Sequence, residues 1–180
     1  AGSTGAAEQA ADWRAVTLRG DLLAVPPPRW LDLGGTATAY LVQRCAERVA
    51  ARSRVGVLVA VGSRMAAAGP APDGGWPVPD GPGSLTGGAL VTADGLRADG
   101  GGVRDPRTGG SPASPWRSVT VAAPDAARAA MLAVAGLVHG PDGPRWLAGQ
   151  DLPAWPAPFP RPIPGGNFPA CPSMTVRPAR

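Results

Sequence analysis

The sequence predicts a mixed α/β (α+β) domain, a sheet with helices packed on it, followed by a proline-rich extended C-terminal tail. Three observations carry this. Apolar residues recur at spacings of three and four over 36–51 and again over 124–138, the signature of helices with one buried stripe. Val55 to Val61 is an unbroken apolar run, which fits a strand covered on both faces. Ser118-Val119-Thr120-Val121-Ala122 adds a second strong strand signal. No internal repeat interrupts this order.

Residues 1–11 are small and polar and read as a flexible lead-in. Between Asp12 and Leu33, the residues Trp13, Val16, Leu18, Leu22, Leu23 and Val25 suggest a hairpin turning at Arg19-Gly20-Asp21. Pro26-Pro27-Pro28 stops it. The first helix follows Gly34-Gly35, and its predicted buried stripe is Ala37, Tyr40, Leu41, Cys45, Arg48 and Val49, with Arg44, Glu47 and Arg52 toward solvent. Cys45 therefore reads as core. Trp76–Val78 and Gly88–Thr92 are shorter strand candidates among glycine-rich turns. Pro124-Asp125 opens the second helix, with proline suited to a first turn and aspartate to the positive end of the dipole. Its predicted buried face is Ala127, Met131, Val134, Ala135 and Val138, and Gly140 ends it. Residues 142–150 predict a short helix carrying Trp146 and Leu147. From 151 to 180 the chain is proline-rich, and Trp155 to Pro164 is extended. That tail is either a ligand for an aromatic groove on a partner protein or a strap lying along its own domain.

Composition narrows the function classes. With 180 residues the chain can bury one ordinary core. All of its basic side chains are arginine, and the net charge is +4. The arginines are scattered, with no basic run interleaved with aromatics, so nucleic acid is not expected as a partner. No stretch reaches the roughly 18 apolar residues of a membrane span. The start of the chain shows neither methionine nor an apolar signal core, so any export signal is expected to be absent or removed, and the compartment stays open. Cys45 and Cys171 are too few and too far apart for a metal cluster or disulfide framework. His139, the only histidine, sits at a predicted helix C-terminus and reads as structural. Gly100-Gly101-Gly102 precedes no helix and is no dinucleotide fingerprint. The six tryptophans, spread one per segment, read as packing anchors.

Four blocks remain. They are Leu31-Asp32-Leu33-Gly34-Gly35-Thr36-Ala37; Val57 to Gly69 followed by Gly75-Trp76; Gly88-Ala89-Leu90-Val91-Thr92 with Asp105-Pro106-Arg107-Thr108-Gly109; and Ser118 to Ala126. In this order they resemble the C-terminal half of bacterial FAD:protein FMN transferases, the ApbE family, over about residues 12–150. The family portion that would precede residue 12, which contributes to flavin binding, has no counterpart in the resemblance. The likeness implies a flavin transferase fold, FAD as ligand, and a reaction moving FMN from FAD to a threonine hydroxyl of a target protein. It implies flavin contacts at Asp32, Gly34, Gly35, Thr92, Asp105, Arg107 and Thr108.

The same likeness exposes losses. Phosphoryl chemistry of this kind relies on Mg²⁺, a hard ion that takes oxygen ligands. The family supplies an aspartate and a threonine four residues apart on one helical face. Here those positions are Ala130 and Val134, so Mg²⁺ is not expected to bind and no catalytic residue is assigned. A family histidine falls on Gly102, an acid on Arg64, a lysine on Thr38 and a serine on Ala93. The expectation is a catalytically degenerate, flavin-binding or assembly module. The rival expectations are an active Mg²⁺-dependent transferase and a purely structural subunit.

Overall fold

The computed structural model describes residues 13–27, 31–78, 83–95 and 102–158. The expected lead-in and most of the proline-rich tail lie outside them. A short 3₁₀ turn at Trp13–Ala15 leads into β1 (Thr17–Arg19) and β2 (Leu22–Ala24). Arg19 pairs with Leu22, so Gly20 and Asp21 form a two-residue turn, and Gly20 supplies the positive φ of 60° that such a turn needs. The predicted hairpin is present, with its leucines facing water: Leu18 is 69% and Leu22 71% exposed.

Helix α1 (Gly34–Ser53) ends on Arg54, whose left-handed φ of 57° lets its N–H reach the Ala50 carbonyl. The chain then runs through β3 (Val57–Val61), β4 (Arg64–Ala68), a separate two-stranded pair of β5 (Trp76–Val78) and β6 (Gly83–Leu85), and β7 (Gly88–Asp94). After β8 (Trp116–Ala123) come α2 (Ala126–Val138), a 3₁₀ turn, α3 (Gly143–Ala148) and β9 (Ala154–Pro158). Five strands form one antiparallel sheet in the order β3-β4-β7-β8-β9. Strand alternation sends Ala66, Ala89, Val91, Val119 and Val121 toward the helices. On the other face Met65, Ala67 and Leu90 meet Val78 and Leu85 of the β5–β6 pair. No helix among the described residues is long and apolar enough to cross a membrane.

Both helices stand where the sequence puts them, but each is turned from its predicted orientation. The residues α1 buries are Ala39, Val42, Ala46 and Ala50, while Tyr40, Leu41 and Val49 are exposed. Cys45 is exposed as well, which corrects its reading as core. Helix α2 buries Ala126, Ala129, Ala130, Ala133, Gly136 and Leu137, and Met131 is 54% exposed. Ranking by side-chain size picked the wrong faces because these layers meet on their smallest residues. Gly136 receives the Leu147 side chain, and at Gly143 a Cβ would overlap the Gly136 carbonyl oxygen. Alanine and glycine let backbones approach, and the larger residues are left outside.

Three further differences concern strands. Covered above and below, β3 nonetheless lies at one edge of the sheet, with Val55 and Val61 half exposed. Strand β4 has no sequence signal because alanine is a weak strand former. The proline-alternating stretch begins as β9, the other edge, where Pro156 and Pro158 are tolerated because an edge strand can spare its outward N–H groups. The second helix begins at Ala126, with Asp125 as its cap: Asp125 Oδ1 accepts from Arg128 N at 2.6 Å.

Candidate functional site

The residues singled out by sequence gather at one end of the sheet but on different faces. A short link joins α1 to β3, and Ala50 of its last turn lies against Gly69 just beyond β4. The first turn of α1 is therefore at the opposite end, where β4 begins and β7 finishes. There Asp32 Oδ1 accepts from Gly34 N at 2.7 Å, satisfying one of the free amides of a helix start. A Cβ on Gly34 would press on that same oxygen, whereas one on Gly35 would meet nothing within 4 Å. The Leu33 carbonyl takes the amides of Thr36 and Ala37. The Asp-Leu-Gly-Gly block thus has a local structural task, which is to start α1.

Asp105, Arg107 and Thr108 occupy one turn beyond β7. Asp105 is 5% exposed. Its backbone carbonyl accepts from Thr108 N and Gly109 N, and its N–H donates to the Gly110 carbonyl. Its carboxylate accepts from Arg107 N at 2.9 Å, from Arg107 Nε at 2.9 Å and from Arg107 Nη2 at 2.8 Å. These bonds hold the Asp105 carboxyl below the usual carboxylate range, and the same side-chain bond raises Arg107. Gly110 N donates to Thr108 Oγ1, and Arg104 Nη1 to the Gly109 carbonyl. The amides at Arg107, Thr108, Gly109 and Gly110 are all used within the turn. Arg107 also reaches Val138 O at the end of α2, and Trp116 Nε1 bonds the Gly140 carbonyl beside it. His139 stacks on Trp146 with ring centroids 4.5 Å apart, consistent with its structural reading.

Thr92 lies elsewhere. Its Oγ1 is 2.8 Å from that of Thr120 on β8, on the sheet face turned away from α1 and α2. The structure therefore unites Asp105, Arg107 and Thr108, sets Asp32, Gly34 and Gly35 at a helix entry, and leaves Thr92 on the other side of the sheet.

The positions that depart from the family pattern have structural correlates. Ala130 is 1% exposed inside the helix-side core, and Val134 packs partly buried against the same cluster. Neither offers an oxygen. The described residues hold no group of three or more His, Cys, Asp or Glu side chains arranged for a metal. Gly102 has a φ of 134°, and a Cβ there would come within 2.8 Å of Gly95 O, so histidine could not replace it without moving the loop. Arg64 stands out in a different way. Its Nε is buried and, among the described residues, has no hydrogen-bond partner. A buried donor left unpaired is costly, so Arg64 is a candidate for an anionic ligand. Sequence reading registered it only as a reversal of charge, although one arginine opening an alanine-rich strand was a usable signal.

No curated protein matches the chain. Solved structures do. The ApbE protein of Thermotoga maritima MSB8 superposes with a TM-score of 0.62 at 24% identity, covering 82% of this chain and 55% of its own. The apo flavinyl transferase ApbE of Pseudomonas stutzeri gives 0.66 at 26% identity, covering 78% and 49%. The flavin transferase ApbE of Vibrio cholerae gives 0.65 at 23% identity, covering 79% and 52%. The chain spans about half the length of these proteins. The ApbE family model itself matches residues 3–155, and with most of the sequence and four of the five strands of the main sheet, β3, β4, β7 and β8, wholly inside that match, the chain belongs to the ApbE family.

Proposed function

We propose that this chain is a catalytically degenerate ApbE-family domain, a flavin-binding or assembly module that does not itself transfer FMN. The observation that carries the reading is the pair Ala130 and Val134. They lie one turn apart on α2, and both are packed against the apolar core, where the family's chemistry needs a carboxylate and a hydroxyl for Mg²⁺. Without those oxygens nothing on this helix face can neutralise a developing phosphate charge.

Flavin recognition by this chain would draw on the matched residues Asp32, Gly34, Gly35, Asp105, Arg107 and Thr108, with Thr92, bonded to Thr120 on the other face of the sheet, standing apart from them. Asp105 and Arg107 neutralise each other and the turn amides are satisfied internally, so recognition of the FAD pyrophosphate would fall to Arg64 and the open first turn of α1 at Gly35. The proline-rich tail beyond β9 is proposed as a strap for a protein partner.

The decisive experiment incubates the purified chain with FAD, Mg²⁺ and a threonine-containing acceptor protein. We expect no FMN ester on the acceptor. Flavin copurifying with the chain, seen as absorbance between roughly 350 and 500 nm, would support the binding form of the module, and its loss in Arg64→Ala would place the anion contact. Robust Mg²⁺-dependent transfer would overturn the reading.

A further inference from the structure

We propose that Arg64 is a retractable phosphate receptor, which swings out at the β3–β4 turn to bind a phosphate group along the Nε–Nη edge of its guanidinium. The ligand class is a free or esterified diphosphate, so inorganic diphosphate engages it without a metal and without a flavin ring. The proposal rests on the flavin-binding reading above and deepens it, by naming what this residue recognises and how.

The sheet fixes the position of Arg64. It pairs with Val61 on one side and Val91 on the other, and alternation puts its side chain on the face that Val91 and Ala66 turn toward the helices. Its strand neighbours on that face, Val61, Val91 and Ala66, carry no acceptor. The one acid of β7, Asp94, shares the opposite face with Leu90 and Thr92. Arg64 Nε therefore has no partner among the described residues. A buried donor in that state costs stability and calls for an explanation, of which a bound ion is one.

Burial of Nε has a geometric consequence. An acceptor oxygen at about 2.9 Å needs the room that a water would, and water does not reach Nε. No anion can bond it while the side chain stays in place. Room to move lies at the turn: Gly62, with a φ of 56°, has nothing within 4 Å of the place a Cβ would take, and Val61 is half exposed. Rotation of the side chain toward that rim frees Nε for a partner and ends its unpaired state in one motion.

The chemistry selects phosphate. A guanidinium edge offers two parallel N–H groups that match two oxygens of one phosphate. A carboxylate fits that edge as well but carries a single charge, whereas a diphosphate carries about two or more. The doubly charged group gains more from a chain of net charge +4.

The test uses the full 180-residue chain in EDTA, with sodium diphosphate as the probe and succinate at equal ionic strength as the carboxylate arm. Thermal melts and calorimetric titrations are run on wild type, Arg64→Met and Arg64→Lys. We expect ligand-free Arg64→Met to melt about 2–4 °C above wild type, because an apolar side chain leaves no donor unpaired. It should also lose the rise in midpoint that diphosphate gives wild type. Arg64→Lys keeps the charge without the Nε–H and should bind diphosphate at least about tenfold more weakly. Melting of Arg64→Met at or below wild type would assign Arg64 a packing role and overturn the proposal. Equal diphosphate responses in wild type and either variant, or a succinate response matching that of diphosphate, would overturn it too. Competition separates this from the flavin reading. FAD held by the chain and not displaced by diphosphate sinks the receptor and spares flavin binding; diphosphate bound by a chain that retains no FAD does the reverse.

Discussion

Arg107 Nη2 donates to the Val138 carbonyl across 3.0 Å although the two residues are 31 apart in sequence. One guanidinium thus fastens the turn beyond β7 to the last turn of α2, while its other bonds hold Asp105. This explains why Asp105, Arg107 and Thr108 fit the family pattern whatever the state of catalysis: the turn is part of the scaffold.

Arg107→Lys should therefore lower the melting midpoint by a few degrees without altering the fold. A lysine ammonium cannot span two carboxylate oxygens and a carbonyl in the planar geometry of a guanidinium. Thermal melts of Arg107→Lys and Arg107→Ala check this, and equal midpoints for wild type and both variants would refute it.

Acid should remove the contribution of Asp105. Its folded pKa lies below the ordinary aspartate value, so the stabilisation is fully present above about pH 3.9 and is lost as pH falls through the lower folded pKa. Asp105→Asn should be less stable than wild type at neutral pH, with the gap narrowing in that acid window. A gap that stays constant down to the folded pKa would show that the carboxylate charge is not what matters.

Restoring the family ligands tests the alignment of α2. Val134→Thr should cost on the order of 1–3 kcal/mol if the hydroxyl finds no partner. Ala130→Asp should cost more, because a carboxylate at a site 1% exposed is poorly solvated. In the double variant Mg²⁺ should recover part of the loss by binding the native state. An unchanged melting midpoint on adding Mg²⁺ would mean the two side chains do not face a common ion.

Close backbone contact between α2 and α3 sets a further expectation. Gly143→Ala should be more damaging than Gly136→Ala: at Gly143 the new methyl meets the Gly136 carbonyl, but at Gly136 it meets the movable end of Leu147. Overpacking of this kind costs about 1–3 kcal/mol, and urea unfolding of the two variants would rank them. The reverse order would argue that the helices are not in this register.

The sequence showed where helices and most strands lie, because periodicity and turn residues are local. It misjudged which faces are buried. Leu41 and Met131 outrank Ala46 and Ala133 on any hydrophobicity scale, yet the alanines form the interface because close approach of backbones decides which face turns inward. Strand β4 was missed since Met65-Ala66-Ala67-Ala68 has no β-branched residue, and its place is set by pairing on both sides. At the candidate site, the Asp105 turn was legible as turn chemistry. The unpaired Arg64 Nε was not, because an unmet hydrogen bond is a property of surroundings that only the packed structure defines.

The order of strands across the sheet repeats their order along the chain. During synthesis each strand can join the free side of the one made before it, and none must later insert between two that have already paired. Assembly then proceeds sideways in a single direction, from the local β3–β4 hairpin outward through pairings between strands that follow one another within the sheet. Growth stops where prolines appear in β9. Among the described residues β3, the strand that starts the process, keeps β4 as its one sheet neighbour from the first pairing to the finished sheet.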